Sequence, residues 1–455
     1  MAELFSFELM IIFAIISVLL LIGLFLRAKI RFFQKFFIPA CITAGILGLI
    51  LKETGFLTLS DDQLKLVVYH LFNITFISLG LTSEKNTSRT KAERSSAFKG
   101  VFNMGILIAA VAALQFLIGG LCVLLLNQFG YSLHPTFGFL VTMGFEEGPG
   151  QALSIGQAWE GLGFAHAATI GLSFAMFGIL VAIFVGVPFT GWMIRKGYIT
   201  NKSIKVSEDF KTGIIAKNSV KESAGNLTTH SDVIDSLTVH SSLIGAVYLL
   251  TYGFVMLCIK FLPSDIAEMF WGFFFIWGLL FAFIIRIIIE KAGAGHVLDN
   301  QLQSRITGWS VDLLVVASIV AISMAVIWEF FIPIMLMVVL TTILTLIFIF
   351  YLGKYIWKDY QYERIAGMYG METGTVANGL VLIRILDPSF STPAATDLAL
   401  SSIIAIPFLL VMLNVMNGPI LFGWSLEFTL LIFAVFLIVF LILFRLLHSS
   451  QKKLN

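Results

Sequence analysis

Two short stretches of the chain set carboxylates among glycines: GFEEGPGQA at 144–152 and GMETGTV at 370–376. The first holds Glu146 and Glu147, the second Glu372, and strongly apolar sequence flanks both. Taking one acidic side chain out of water into a bilayer costs on the order of 3 kcal/mol by insertion scales. Three occupations would justify that cost: ligating a cation through hard oxygen donors, carrying a proton, or facing an aqueous vestibule. The oxygen and nitrogen groups beside them are Gln151 and Ser154 after the first pair, and Thr373, Thr375 and Asn378 around Glu372. Ser and Thr in membrane helices often bond only to their own backbone, which is the competing reading for each hydroxyl. Gly148, Gly150 and Gly374 permit close approach and unusual dihedrals, and Pro149 suits the first position of a new helix because it needs no N–H partner.

The surrounding elements follow from composition. Of 455 residues, 58% are apolar and only 12% charged, half the usual charged share of a soluble domain. The chain therefore reads as an all-α polytopic membrane protein. Runs at 7–26, 37–51, 64–81, 100–126, 164–194, 241–261, 267–289, 309–328, 330–352, 395–422 and 426–447 are each expected to span the bilayer as a helix. The segments 138–160 and 364–386 are apolar but too interrupted by Gly, Pro and charge to face lipid. Cys41, Cys122 and Cys258 lie far apart in apolar runs and read as packing residues. Glu3 and Glu8 stand where a cleaved signal peptide would be basic, so the first run is read as a retained span.

Basic residues set the orientation. Arg27, Lys29, Arg31 and Lys35 after the first span, and Lys85, Arg89, Lys91, Arg94 and Lys99 after the third, place both loops in the cytoplasm, whereas 127–137 has no Lys or Arg. The N-terminus then starts outside and the C-terminus ends in the cytoplasm, provided 138–160 and 364–386 re-enter from opposite faces instead of crossing. The Lys-, Ser- and Thr-rich stretch 197–240 is a hydrophilic cytoplasmic linker, with a partly helical regulatory segment as the competing reading.

The linker separates two related halves. Gly144, Glu146 and Gly148 are echoed by Gly370, Glu372 and Gly374 at an offset of 226 residues. Ala167-Ala168-Thr169 is echoed by Ala394-Ala395-Thr396, Gly186-Val187-Pro188 by Gly418-Pro419, Trp192 by Trp424, and Ile38-Pro39 by Leu262-Pro263. Five spans and one interrupted segment occur in each half, and an odd count makes the second copy insert upside down. That is the inverted-topology repeat of secondary transporters, with a substrate and a coupling cation bound between opposed broken helices. The expected units are 1–196 with hairpin 138–160, the linker 197–240, 241–422 with hairpin 364–386, and an extra helix and tail at 423–455.

VTMGFEEGPGQA at 141–152 and AGMYGMETGTV at 366–376 resemble the two Gly-rich hairpin signatures of the sodium/glutamate symporter family. SFAMFGILVAIFVGVPFTGWMIRKG at 173–197 is similar to that family's helix after the first hairpin. IPACITAGILG at 38–48, LGL at 79–81 and Ile327-Trp328-Glu329 also fall where it has related residues. The resemblance runs over roughly residues 30 to 422. It implies two inverted five-helix repeats, each with a re-entrant hairpin, and sodium-driven uptake of glutamate. The family's hairpins are chiefly Gly with small residues and a His, so Glu146, Glu147 and Glu372 are departures, as is the eleventh span.

The resulting expectation is a multi-pass protein of the inner (cytoplasmic) membrane, not an enzyme. It would carry a small organic anion with Na⁺, H⁺ being the other coupling ion considered, and would use no further cofactor. Glu146 and Glu372 would serve as Na⁺ ligands, with Asp312 in the eighth span as a further ion-site candidate or an interfacial residue. The alternatives are a Na⁺/H⁺-type exchanger using the hairpin glutamates, and a channel or non-transporting membrane protein. Solute, Na⁺ and lipid are the partners, nucleic acid is not, and a homodimer is left open. Asp397 opens the tenth span as a second intramembrane acid. Arg384 and Asp387 read as a surface pair or a carboxylate clamp, His70, Asn73, Asn414 and Asn417 as interhelical hydrogen bonders, and His166 as ambiguous. His296 and Asp299 in a Gly-rich loop make no site.

Overall fold

The computed structural model describes residues 7–82, 91–198, 207–388 apart from 218, 220 and 222, and 392–452. Lys85 and Arg89, used above for orientation, lie outside the described residues, as do Glu3 and the linker residues 199–206. All described elements are helical. In order they are α1 (Glu8–Lys29), α2 (Arg31–Lys35), α3 (Ala40–Glu53), α4 (Asp61–Leu81), α5 (Lys91–Gln128), α6 (Phe139–Thr142), α7 (Pro149–Gly161), α8 (Ala167–Phe184), α9 (Gly186–Arg195) and α10 (Glu208–Thr212). The second half contains α11 (Ser236–Cys258), α12 (Ser264–Gly272), α13 (Phe274–Lys291), α14 (Asn300–Val320), α15 (Met324–Glu329), α16 (Phe331–Ile356), α17 (Gln361–Gly374), α18 (Val376–Leu386), α19 (Ala394–Met416), α20 (Gly418–Phe422) and α21 (Leu426–Lys452).

Among the described residues eight helices are long and apolar enough to cross a membrane, one of them α8 continued by α9, or nine if α12 and α13, bent by 59°, form one span. The chain is an all-α polytopic membrane protein. Each of the eleven expected runs is helical, but not every one is a simple span. The run 37–51 yields the 14-residue α3, because Pro39 fixes its start and the polar LysGluThr at 52–54 its end. The run 309–328 is divided between α14, whose first turns (NQLQSR) are polar, and α15. Asp235 caps α11 by accepting from Leu237 N at 2.8 Å, so the last five residues of the stretch 197–240, 236–240, are already helical.

Packing divides the helices into two bodies. One apolar cluster joins α1, α3, α4 and α14, with a satellite shared by α4, α11, α13 and α14. A larger cluster joins α5, α6, α7, α16, α17, α18, α19 and α21, and α8 contributes residues to both clusters and so lies along their boundary. The contacts are reciprocal between halves: α4 packs on α13 as α14 packs on α3, α1 on α14 as α11 on α4, and α1 on α3 as α11 on α13. Across the halves α4 also packs on α14, and α5 on α16. Burial grades outward. In α5, 83% of the apolar window is buried, against 22% in α1 and α11, whose exposed Leu9, Ile11, Phe13, Leu249 and Leu257 suit lipid.

Candidate functional site

Both interrupted segments are helix–break–helix elements inside the larger body. In the first, α6 runs into a π turn, Met143–Glu147, which ends at Gly148 with φ 86° and ψ −176°. Glycine adopts this backbone at no steric cost, and Pro149 at the next position opens α7. In the second, α17 ends at Gly374 and Thr375 takes φ 86° and ψ 161° before α18 begins. The breaks therefore match at Gly148 and Thr375, an offset of 227 residues. Ala167-Ala168-Thr169 and Ala394-Ala395-Thr396 share that offset. The glutamates do not: Glu146 stands two residues before its break and Glu372 three before its own.

The breaks face each other. A Cβ on Gly148 would stand 2.9 Å from Thr375 Cγ2, and the π turn packs directly on α17. Both lean on α8, where Gly178 admits Thr373 O and Phe145, and where Ala182 and Ile179 close on Gly374. Glu146 lies within Coulombic reach of Glu372 and Glu147, so the three carboxylates form one electrostatic unit. Glu372 is fully buried, Glu146 is 6% exposed and Glu147 half-buried. All four side-chain oxygens of Glu146 and Glu372 are enclosed without a hydrogen-bond partner, as is Gln151 Oε1. Buried polar atoms are nearly always bonded, so these five oxygens beside the two helix breaks are the ones in the hairpins with capacity to accept from a bound group. The new N-termini at Pro149 and Val376 bring positive dipole ends there, and the C-terminal ends of α17 and the π turn bring carbonyls.

The remaining expected residues separate. Gln151 faces Glu147, and Gly150 lets α7 pass under the Phe72 ring of α4. Thr373 Oγ1 donates to Tyr369 O at 2.7 Å and Asn378 Nδ2 donates to Gly374 O, so both are engaged within their own hairpin. Ser154 Oγ donates to Gly272 O at 2.6 Å, tying α7 to α12. Asp312 does not join the hairpins. It lies on α14 against Cys41 of α3, in the other body, because α14 turns that face toward α3. All three cysteines are free.

Asp397 is placed elsewhere too. Its Oδ2 accepts from Arg364 Nη2 at 2.6 Å and Nε at 3.2 Å, a buried pair joining the start of α17 to the start of α19. Arg384 stands with its guanidinium carbon 4.3 Å from the Phe210 ring centroid of α10, and Asp387 accepts from Thr392 N at 2.7 Å. His70 Nδ1 pairs with Tyr248 Oη at 2.7 Å between α4 and α11, and His166 caps α8 with φ 64°. Asn417 Oδ1 accepts from Trp159 Nε1 at 2.7 Å, and Asn414 bonds to its own helix. Asp299 caps α14 by accepting from Leu302 N at 2.9 Å.

Sequence reasoning passed over Gln115, Thr345 and the guanidinium of Arg364. Gln115 Nε2 donates to Glu372 O at 2.8 Å and to Thr345 Oγ1 at 3.3 Å. The available signal was an amide in the run ILIAAVAALQFLIGGL, where it has no polar neighbour of its own. Among the described residues no group of three or more His, Cys, Asp and Glu side chains could hold a metal, so any cation here would be met by carboxylates together with neutral oxygens.

No curated protein and no solved structure matches the chain. The sequence model of one family, described as sodium/glutamate symporter, matches residues 5–390, which takes in both helix breaks and all three hairpin glutamates and stops ahead of α19 and α21. By that match over most of its length the chain belongs to the sodium/glutamate symporter family.

Proposed function

We propose that this transporter-family chain is a secondary symporter that carries glutamate, or a closely related amino acid, together with Na⁺, by alternating access around the two facing helix breaks. One observation carries the reading. The breaks at Gly148 and Thr375 meet inside one packed body and enclose uncommitted carboxylate oxygens, which serve a cation, beside half-helix N-termini, which serve a carboxylate. A dicarboxylate would meet like charge from Glu146 and Glu372 alone, so the cation binds with it and offsets that repulsion. The reciprocal contacts between halves support an inverted repeat of five spans and a hairpin in each. Movement of the hairpin body against the α1–α3–α4–α14 body would then carry the site from one face to the other, with the N-terminus outside and the C-terminus in the cytoplasm.

Uptake into proteoliposomes tests this. Accumulation of labelled glutamate should follow an imposed Na⁺ gradient and fall to background in choline. Uptake driven equally by a pH gradient alone would replace Na⁺ with H⁺. Cation exchange without organic solute, or solute movement indifferent to every gradient, would overturn symport.

A further inference from the structure

We infer that the linker helix α10 is a strap across the face read as cytoplasmic: it is fixed to the α1–α3 body, clasped releasably by α18 of the hairpin body, and restrains their relative movement until the clasp opens. The inference rests on the proposed movement of one body against the other. The fixed end is built from hydrogen bonds. Arg27, in the last turn of α1, donates from Nη2 to Phe210 O at 2.9 Å, from Nε to Lys211 O at 3.3 Å and from Nη1 to Ile38 O at 3.0 Å. The last four carbonyls of a helix have no partner within it, and this one guanidinium serves two of them on α10 together with the chain just ahead of α3. The short helix also keeps its own shape. Ser207 Oγ accepts from Phe210 N at 3.3 Å, and the Asp209 carboxylate accepts from Ala216 N and Ser219 Oγ, both at 3.1 Å.

The releasable end is the Phe210 ring, which both bodies share. It stacks on Phe37 with centroids 5.5 Å apart and 29° between planes, while the Arg384 guanidinium carbon stands 4.3 Å from its centroid. Phe37 lies in the turn between α2 and α3 and holds φ 54°, a conformation that a bulky residue rarely takes and that its surroundings must impose. Arg384 lies on α18, whose Leu382, Ile383 and Leu386 are packed into the hairpin body. A linker that only joined two halves would need reach and polarity, and has no use for a capped turn with an aromatic ring between the bodies. The attachments are unequal: two hydrogen bonds and a ring stack hold α10 to one body, and a cation–ring contact ties it to the other. A partly exposed cation–π contact is weak enough to break and re-form, so α10 stays with α1 when the hairpin body moves.

Pulsed spin-label distance measurements on the full-length protein test the strap without transport. Nitroxides at Lys291→Cys on α13 and Lys358→Cys after α16, both exposed positions, report one body each, with Cys41, Cys122 and Cys258 replaced by serine. Phe210→Leu, which stays apolar but loses the ring, and Arg384→Gln should each raise the population of a second distance roughly 3-fold over the labelled parent. Phe210→Tyr, which keeps a ring, should match the parent. If Arg384→Gln does not fold, Phe210→Leu decides alone. Distances that shift in the parent on adding NaCl and glutamate, but not with either substitution, would overturn the strap and leave the movement standing. Phe210→Tyr populating the second distance as strongly as Phe210→Leu would overturn the ring clasp. A single distance, unmoved by solute and by every substitution, would overturn the strap and the movement together.

Discussion

The two hairpins solve one geometric problem with different chemistry. The first breaks its helix with a π turn and a glycine at φ 86°, and the second breaks at a threonine held at the same φ. A threonine there is strained, and it is held by the hydrogen bonds Thr375 N to Met371 O at 2.9 Å and Asn378 N to Thr375 O at 3.1 Å. The anchoring differs as well. The first hairpin is tied down by neutral bonds, Trp159 to Asn417 and Ser154 to Gly272, whereas the second is tied at its base by the buried Arg364–Asp397 pair. The lesson is that a shared backbone shape does not oblige shared side-chain roles. Glu146 and Glu372 converge on one place from non-equivalent positions, because the π turn changes the register ahead of the first break.

This contrast can be broken experimentally, and the ion pair should give the largest effect. Asp397→Ala leaves a buried guanidinium without its carboxylate and should cost about 3–5 kcal/mol, read as a large fall in the thermal midpoint. Joint replacement of Arg364 and Asp397 by apolar residues should recover most of the loss. Next, Asn417→Ala strands the Trp159 indole N–H and should cost about 1–3 kcal/mol; a smaller loss than that from Asp397→Ala is what the neutral anchor requires.

Gly148→Ala forces a Cβ into the left-handed region and toward Thr375 Cγ2, at about 1–2 kcal/mol. Thr375→Gly alone should be close to neutral, since relief of strain offsets a gain in chain entropy. Combined with Gly148→Ala it should restore part of the loss, and strict additivity in that double-mutant cycle would show that the breaks do not touch. The smallest effect belongs to Thr373→Val. Its hydroxyl bonds only to Tyr369 O, so stability and Na⁺ dependence should change little, within about 0.5 kcal/mol.

Most of the helices were legible because apolar run length and glycine punctuation are local properties. The hairpin at 364–386, for instance, folds as α17 and α18 over 361–386. Asp312 and Asp397 were not legible as to role. Each is an intramembrane acid in the sequence, yet one meets Cys41 and the other Arg364, 33 residues earlier in the chain. Gln115 was passed over for a related reason, since its partners lie 230 and 257 residues away.

By itself the sequence determined that this chain lives in a bilayer and that the cost of buried charge is concentrated at Glu146, Glu147 and Glu372. Those conclusions need only transfer free energies and spacing. The tertiary structure alone decided where the two helices break, the meeting of the two breaks, the withdrawal of Asp312 to the other body, and the arrival of Gln115 and Thr345 beside Glu372. Each of these depends on which helix faces pack together, and packing between elements hundreds of residues apart leaves no periodic trace in either one.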